Sequence, residues 1–451
     1  MTTHDDLTAV IESGMCIGCG ACEAADPSVT LVLDPDRKIF QPDSPGGSAS
    51  ASVCPALEVD YSGLQQSIFG DAEVGPYGVV DSVFLAQSTD HDRNVKASSG
   101  GLIKEILRSL LRDGTVDGAI ALDHVDGLDF QARLLRDEDD VDSLPGSIYH
   151  NLAQRSLIDV LEQNEGRFAV VAIPCQLEGL YAYIRDHAPH LRERVAFTIG
   201  LLCGWQYSHH SIEAMAHYLG FDAGEVAEIS FRGGGPVGKF AVQTRDGSTY
   251  SASRRVDFSY QVAFDRHFNT TRCHVCVNHS NFLAHLVVGD AWLPSTVFTR
   301  TGISLVTCRT PEATAVVRRL TEEGTCVSTE VSTEEIRESQ TDRVVFGEFA
   351  YAYADYRRSI GEHTPRLDGP NKDAGGRSDL REVERFHREL RRKQQLMAER
   401  RYRLLFWRKA TLELPRLLRR YLRWFLVRIV RVKSLGGRRQ EITREELKSF
   451  R

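Results

Sequence analysis

Several signals are missing from this 451-residue chain. No stretch of about 18 or more uninterrupted apolar residues occurs, so a spanning helix is not expected. The first ten residues, MTTHDDLTAV, lack the basic-then-apolar order of a secretory signal, and a cytoplasmic location is the expectation. Nothing resembles the Gly-x-Gly-x-x-Gly dinucleotide fingerprint, which disfavours a direct NAD(P)H enzyme of Rossmann type. No Ser-His-Asp or paired-carboxylate constellation calls for hydrolysis. Excess positive charge is also absent from most of the chain. From Arg381 onward 23 Lys/Arg stand against 8 Asp/Glu, a balance of +15 that leaves −22 on the first 380 residues of a chain with total charge −7. An acidic body argues against nucleic-acid binding, which needs a basic one.

What is present is 42% hydrophobic residues, enough for two or three domains, and ten cysteines. In a cytoplasmic chain, clustered cysteines read as metal ligands before disulfides. Residues 15–22 run Met-Cys-Ile-Gly-Cys-Gly-Ala-Cys, placing Cys16, Cys19 and Cys22 on one tight loop. Gly18 and Gly20 let the backbone curl around a bulky anion. A [4Fe–4S] cube needs a fourth thiolate, and Cys54-Pro55 offers one in the remote Cys-Pro form used by ferredoxins. Four cysteines also suit Zn2+, although zinc sites usually pair two Cys-x2-Cys knuckles. Asp26-Pro27 stands where a two-cluster ferredoxin has another Cys-Pro, so one cluster is expected in this segment. The stretch Gln41 to Ser52 reads as a loop.

The middle of the chain reads as α/β. Val79 to Ala86 is a strand pattern, and Leu102, Ile103, Ile106, Leu107, Leu110 and Leu111 share one helical face ending near Gly114. Between them lies Ser98-Ser99-Gly100-Gly101. This is either a plain capping turn or a phosphate cradle whose free N–H groups face an anion. A strand at Gly118 to Leu122 completes a β-α-β unit. Phe168 to Ile173 and Val195 to Leu202 are nearly all apolar, as in a parallel sheet buried on both faces, and each delivers a cysteine at its C-terminal end, Cys175 and Cys203. Ligands bind beyond such strand ends, though buried cysteine is also an ordinary small hydrophobe. Cys273-x2-Cys276 follows. With Cys175 and Cys203 it makes four thiolates; alone it would be a zinc knuckle completed by His279 or His285. Cys308, in a strand, and Cys326, in a loop, read as structural.

Taken in order, these blocks resemble the β-subunit family of coenzyme F420 hydrogenase/dehydrogenase. The resemblance spans about Met15 to Pro311. It rests on Cys16-to-Cys22 with Cys54-Pro55, Gly75-Pro76-Tyr77-Gly78, Ala97-to-Gly101, Ile173-Pro174-Cys175-Gln176, Cys273-x2-Cys276 and Val288-Gly289-Asp290-Ala291-Trp292. It implies non-covalent FAD, a further [4Fe–4S] cluster on Cys175, Cys203, Cys273 and Cys276, and coenzyme F420 as a candidate hydride substrate. It points to Ser98, Ser99, Gly100 and Gly101 for flavin contacts, with Ser147 and Tyr149 beside them, although Ser147 and Tyr149 also fit ordinary helix entry. Asp290 would orient the site or stabilise a turn. Arg232, in Phe231-Arg232-Gly233-Gly234-Gly235, would hold an anionic group or be an exposed loop arginine. Ferredoxin or another redox protein is the implied partner, and the electron acceptor a deazaflavin or other small molecule.

The expected class is α/β. Residues 1–70 form a ferredoxin-like [4Fe–4S] segment, and 71–165 an N-terminal family domain with the flavin loop and a mostly parallel sheet. Residues 166–325 form an α+β C-terminal family domain with the second cluster, and 326–380 a variable region ending in a Pro/Gly linker from 362. Residues 381–451 form a basic helical tail. Leu380 to Leu396 reads as a solvated helix. Leu404 to Val432 interleaves arginine with apolar and aromatic residues, as on a helix at a membrane interface or in a partner groove. Peripheral contact with the inner face of a membrane follows from the first of these.

Overall fold

The computed structural model describes residues 6–233, 238–296, 301–372 and 378–411. Most of the basic aromatic segment, Leu417 to Val432 included, lies outside the described residues, as do Gly234 and Gly235.

One eight-stranded sheet organises the body. Its strands are β1 (Ser82–Ser88), β2 (Gly118–Asp126), β3 (Asp129–Leu135), β4 (Phe168–Ala172), β5 (Val195–Leu201), β6 (Leu286–Asp290), β7 (Ser304–Cys308) and β8 (Cys326–Val331). Their spatial order is β8-β1-β7-β6-β5-β4-β2-β3. Strands β2, β4, β5 and β6 are parallel neighbours. Strand β1 runs the same way beyond the antiparallel β7, so five of the eight strands share one direction. The apolar runs arise because both faces are covered. Phe168, Val170 and Ala172 enter one core while Ala169 enters the opposite one, the period-two alternation of a strand.

Helix α1 (Leu102–Arg112) buries Leu102, Ile106, Leu107 and Leu110 on one face of the sheet. Helix α2 (Pro174–Asp186) buries Leu177, Leu180, Tyr181 and Ile184 on the other. The Ile-Pro-Cys-Gln motif is the start of α2. Pro174 sits at the first helical position, and Gln176 Oε1 accepts from the Ile173 N–H at 2.8 Å. The Gly75-to-Gly78 motif is clamped by the buried Arg309, which donates to the Tyr77 and Val79 carbonyls.

The structure corrects several sequence expectations. Strands β1 and β2 run the same way, but four strands lie between them, because β4 to β7 from later in the chain insert into the sheet. Cys326 opens β8 and is buried rather than lying in a loop. The stretch Gln41 to Ser52 is not all loop, since Ser48–Ser52 is a helical turn. The expected linker after residue 362 is tied down. Arg366–Leu367 pairs in parallel with Glu58–Val59, and Asn371 Nδ2 donates to the Val277 carbonyl at 3.0 Å.

The largest correction concerns the start of the tail. Helix α3 (Thr341–Ser359) is followed by α4 (Leu380–Ala398), which is not fully solvated. Val383, Leu390 and Met397 recur every seven residues and are buried, and Tyr402 and Leu405 continue the contact. One apolar residue per two turns is too narrow a stripe to stand out among so many charges. Residues 381–411 therefore pack on the body. Tyr402 donates to Glu213 Oε2 at 2.9 Å, Lys38 pairs with the same carboxylate at 3.2 Å, and Lys409 reaches Asp265 at 3.0 Å.

Burial acts against ionisation of Glu213, but His210, Tyr402 and Lys38 outweigh it and hold its carboxyl down at about 2, from an ordinary 4.5. A depressed carboxyl stabilises the fold fully above its unfolded value, and that contribution is lost as pH falls through the folded one. The protection of amides in residues 402–411, measured as exchange relative to the intrinsic rate at each pH, should fall on acidification from about pH 4.5 toward about 2. Glu213→Gln should show low protection at every pH and lack this step.

Candidate cofactor sites

The N-terminal loop is held open by its glycines. Gly18 and Gly20 adopt φ of 73° and 79°. A Cβ on Gly18 would lie 2.0 Å from the Leu152 carbonyl oxygen, and one on Gly20 2.5 Å from Arg155 N. No other residue fits either requirement. The loop is fastened where Asn151 Nδ2 donates to the Ile17 carbonyl at 3.1 Å and Gln154 N–H to the Gly18 carbonyl at 2.9 Å. Cys16, Cys19, Cys22 and Cys54 line one small cavity whose other walls include Val10, Ile17, Leu31 and Pro55. Burial pushes the Cys16 thiol up to about 12 and Cys54 to about 11, and Cys19 and Cys22 further. Such thiols ionise only beside compensating positive charge. Asp26 does not join them, because its carboxylate accepts from the Ser28 and Gly47 N–H groups and holds the turn.

The second set gathers from three places. Cys175 lies in the first turn of α2, Cys203 follows β5, and Cys273 and Cys276 flank a tight turn. Gln206 links them: its N–H points at Cys273 Sγ at 3.3 Å and its Nε2 at Cys175 Sγ at 3.8 Å. Thr270 adds a hydroxyl donor to Cys273 Sγ at 3.2 Å. Burial pushes all four thiols up. His279 Nδ1 meets the Cys203 carbonyl at 2.8 Å, and His285 Nδ1 is engaged by Thr198. All ten cysteines are free thiols. Among the described residues, no group of three or more His, Cys, Asp or Glu is drawn tightly enough to hold a single metal ion.

Both sets meet at one turn of α2. Cys175 begins it and Gly179 follows one turn later, where a Cβ would lie 2.7 Å from Cys19 Sγ. The missing side chain at Gly179 is thus what admits Cys19. Beside it, Glu178 is buried and accepts from Tyr61 Oη at 2.6 Å, Asn278 Nδ2 at 2.9 Å and Arg272 Nη2 at 3.4 Å. Sequence reading passed over Glu178 and Arg272. The available signal was position: Glu178 lies three residues after Cys175 on a helix, and Arg272 directly precedes Cys273.

The structure also shows how the expected flavin residues are packed. The Ser147 N–H approaches Ser98 Oγ at 3.4 Å. Tyr149 packs on Phe231 with ring centroids 5.4 Å apart. Ser99 Oγ reaches Ser304 Oγ at 3.0 Å and the Gly289 carbonyl at 3.4 Å. The cap of α1 is Gly101 in the left-handed region, with no side-chain cap from Ser98 or Ser99. Gly100 is tightly packed: its N–H donates to Ser304 Oγ at 2.9 Å, and a Cβ there would lie 2.6 Å from the Ala86 carbonyl oxygen. Arg232 is not an exposed loop arginine. It is the penultimate residue of the strand Val226–Gly233, is buried, and forms a two-pronged ion pair with Asp290 at 2.5 and 3.0 Å, near the Trp292 ring at 5.9 Å.

Two family models match this region. Residues 83–159 match "Coenzyme F420 hydrogenase/dehydrogenase, beta subunit N-term", and residues 165–334 match the C terminus of the same subunit. The chain belongs to the coenzyme F420 hydrogenase/dehydrogenase beta-subunit family. It is thereby an oxidoreductase of that family. Among curated relatives, an F(420)H(2) dehydrogenase subunit of Methanosarcina mazei is 25% identical over 306 residues, covering 66% of this chain and 82% of that one. The coenzyme F420-dependent sulfite reductase of Methanocaldococcus jannaschii is 23% identical over 242 residues, 51% of this chain and 37% of that one. The beta subunit of coenzyme F420 hydrogenase from Methanosarcina barkeri is 24% identical over 230 residues, 48% of this chain and 74% of that one. The N-terminal cysteine loop lies outside both family matches.

The packing role of Gly100 predicts that Gly100→Ala overpacks the approach of the loop to β1 and β7. The expected loss is about 1–3 kcal/mol in denaturant unfolding. Unchanged stability would return this glycine to a ligand-facing role.

Proposed function

We propose that the chain is an iron–sulfur flavoprotein that couples one-electron transfer through two [4Fe–4S] clusters to two-electron chemistry on non-covalent FAD. Coenzyme F420 or ferredoxin is the redox partner. The observation that carries this reading is the pair of four-cysteine sets gathered on either side of one helical turn. Each donor set is all sulfur, in the three-plus-one and dispersed forms that suit a cube better than a single zinc ion. Cys16, Cys19, Cys22 and Cys54 would hold one cluster, and Cys175, Cys203, Cys273 and Cys276 the other. When bound, flavin takes electrons in pairs and releases them singly, whereas a cluster moves one at a time.

This chain's residues supply the setting. Gln206 and Thr270 aim donors at Cys273 Sγ, which stabilises charge on that sulfur. The apolar walls around Cys16 to Cys22 exclude water. Ser98 to Gly101 with Ser147 and Tyr149 would form the flavin site, with Arg232 and Asp290 on its rim. The word shared by the relatives' names, coenzyme F420, supports a deazaflavin as hydride partner. A second reading, a non-catalytic electron-transfer subunit, has support in that two of those relatives are named as subunits. Turnover of reduced F420 by the isolated chain with an added acceptor separates the two.

Anaerobically purified protein should carry about eight iron and eight sulfide per chain. Cys16→Ser or Gly179→Ala should remove the N-terminal half, and Cys273→Ser the other half. Stoichiometric zinc with little iron would sink the assignment. Ser98→Asp, which sets negative charge against a phosphate, should expel flavin from a folded protein and leave iron unchanged.

Segment 381–451 would bring the enzyme to an anionic membrane surface. In its described part Trp407 and Leu404 are exposed beside Arg403 and Arg408, and each basic residue near such a surface contributes roughly 1 kcal/mol. The full chain should bind phosphatidylserine liposomes, more weakly at high salt. Truncation after Thr411 together with Trp407→Ala should abolish binding and spare cofactors. A full chain that ignores liposomes would point to a protein partner.

A further inference from the structure

We propose that the buried Glu178–Arg272 pair is a shared electrostatic control that sets the reduction potentials of both cysteine sites together. The proposal rests on the two-cluster reading above and concerns two residues that are ligands in neither set. Their side chains are 1% and 2% exposed, and they meet at 3.4 Å. They lie beside members of both sets. Glu178 is in α2 between Cys175 and Gly179, the residue against which Cys19 Sγ packs. Arg272 directly precedes Cys273.

Each charge reaches both sets. Glu178 acts on Cys19 in the first and on Cys175, Cys203 and Cys276 in the second. Arg272 acts on Cys54 in the first and on Cys273 and Cys276 in the second. In such low-dielectric surroundings a fixed charge acts far more strongly than at a surface. Net charge and hydrogen bonds near a cluster are the protein's main means of setting its potential. A carboxylate beside a site opposes an added electron, and a guanidinium favours it. Tyr61 and Asn278 hold the carboxylate in place, so its distance to both sets is fixed. Stability alone is a weak reason to keep such a pair, since buried ion pairs often contribute no more than apolar residues of the same size. With clusters held at both sites, the transfer this arrangement would serve is simple: one electron would leave the reduced site and reduce the other, with no bond or proton moved. The electron is supplied by ferredoxin or reduced flavin.

The test is a potentiometric titration of the full chain followed by electron paramagnetic resonance. Glu178→Gln should raise both potentials, and Arg272→Gln should lower both. Arg272→Gln leaves a buried carboxylate unpaired and can fail to fold. The double variant Glu178→Gln/Arg272→Gln, compared with Glu178→Gln alone, should then show the same lowering. A merely structural pair would lose stability or signal without opposite-signed shifts. In the wild type with both sites reduced, the two signals should broaden each other. Potentials that stay put, move at one site only or move in the same direction in both variants would overturn the proposal. Magnetically independent signals would also do so. Iron and sulfide analysis of the wild type tests the cluster reading separately.

Discussion

A carboxylate with 1% of its side chain exposed is costly to keep in a protein interior, and Glu178 is the constraint around which this molecule is assembled. Three groups make it tolerable, and they come from distant parts of the chain. Tyr61 belongs to the N-terminal segment, while Arg272 and Asn278 flank the Cys273–Cys276 turn. Satisfying one carboxylate on α2 therefore pins the N-terminal segment and residues 272–278 against the same helix. Seven of the eight cysteines ride on those three pieces, and Cys203 joins them from the end of β5. Their convergence follows from this pinning together with the close approach at Gly179.

What the sequence made legible was whatever has a local period or spacing. Strands β4 and β5 were readable because a parallel strand buried on both faces is nearly all apolar. The start of α2 was readable because Pro174 follows an apolar run. The three-cysteine loop was readable because its cysteines lie within seven residues. What stayed hidden depended on distant partners. No local pattern says that β1 and β2 are separated by strands from later in the chain. Nothing near Gly100 tells that its N–H meets Ser304, two hundred residues on, so a packing glycine and a phosphate-cradle glycine look the same. Arg232 looked like a loop residue because its partner Asp290 is 58 positions away. The heptad Val383, Leu390, Met397 is too sparse to register against eleven basic residues between 381 and 411.

The two family matches begin at residue 83 and end at residue 334, so they leave out the first cysteine loop and everything after β8. Read by sequence alone, the C-terminal part looks like an attachment on a linker. The packing says otherwise. Met15, Cys22 and Cys54 share one apolar core with Val275 from the second cysteine turn, Tyr353 from α3, and Val383 and Leu390 from α4. Arg366–Leu367 adds a strand beside Glu58–Val59. The segments before and after the family region thus close on each other across it. A cysteine loop on a flexible linker would sample many separations from Cys175. Here Cys19 is seated against Gly179, and the C-terminal helices cover its segment from behind. Electron exchange depends steeply on separation, and a fixed charge pair can act on two sites only if both stay at fixed distance. On the proposed two-cluster reading, the C-terminal helices would belong to the redox apparatus, because they hold the first cysteine set in register with the second.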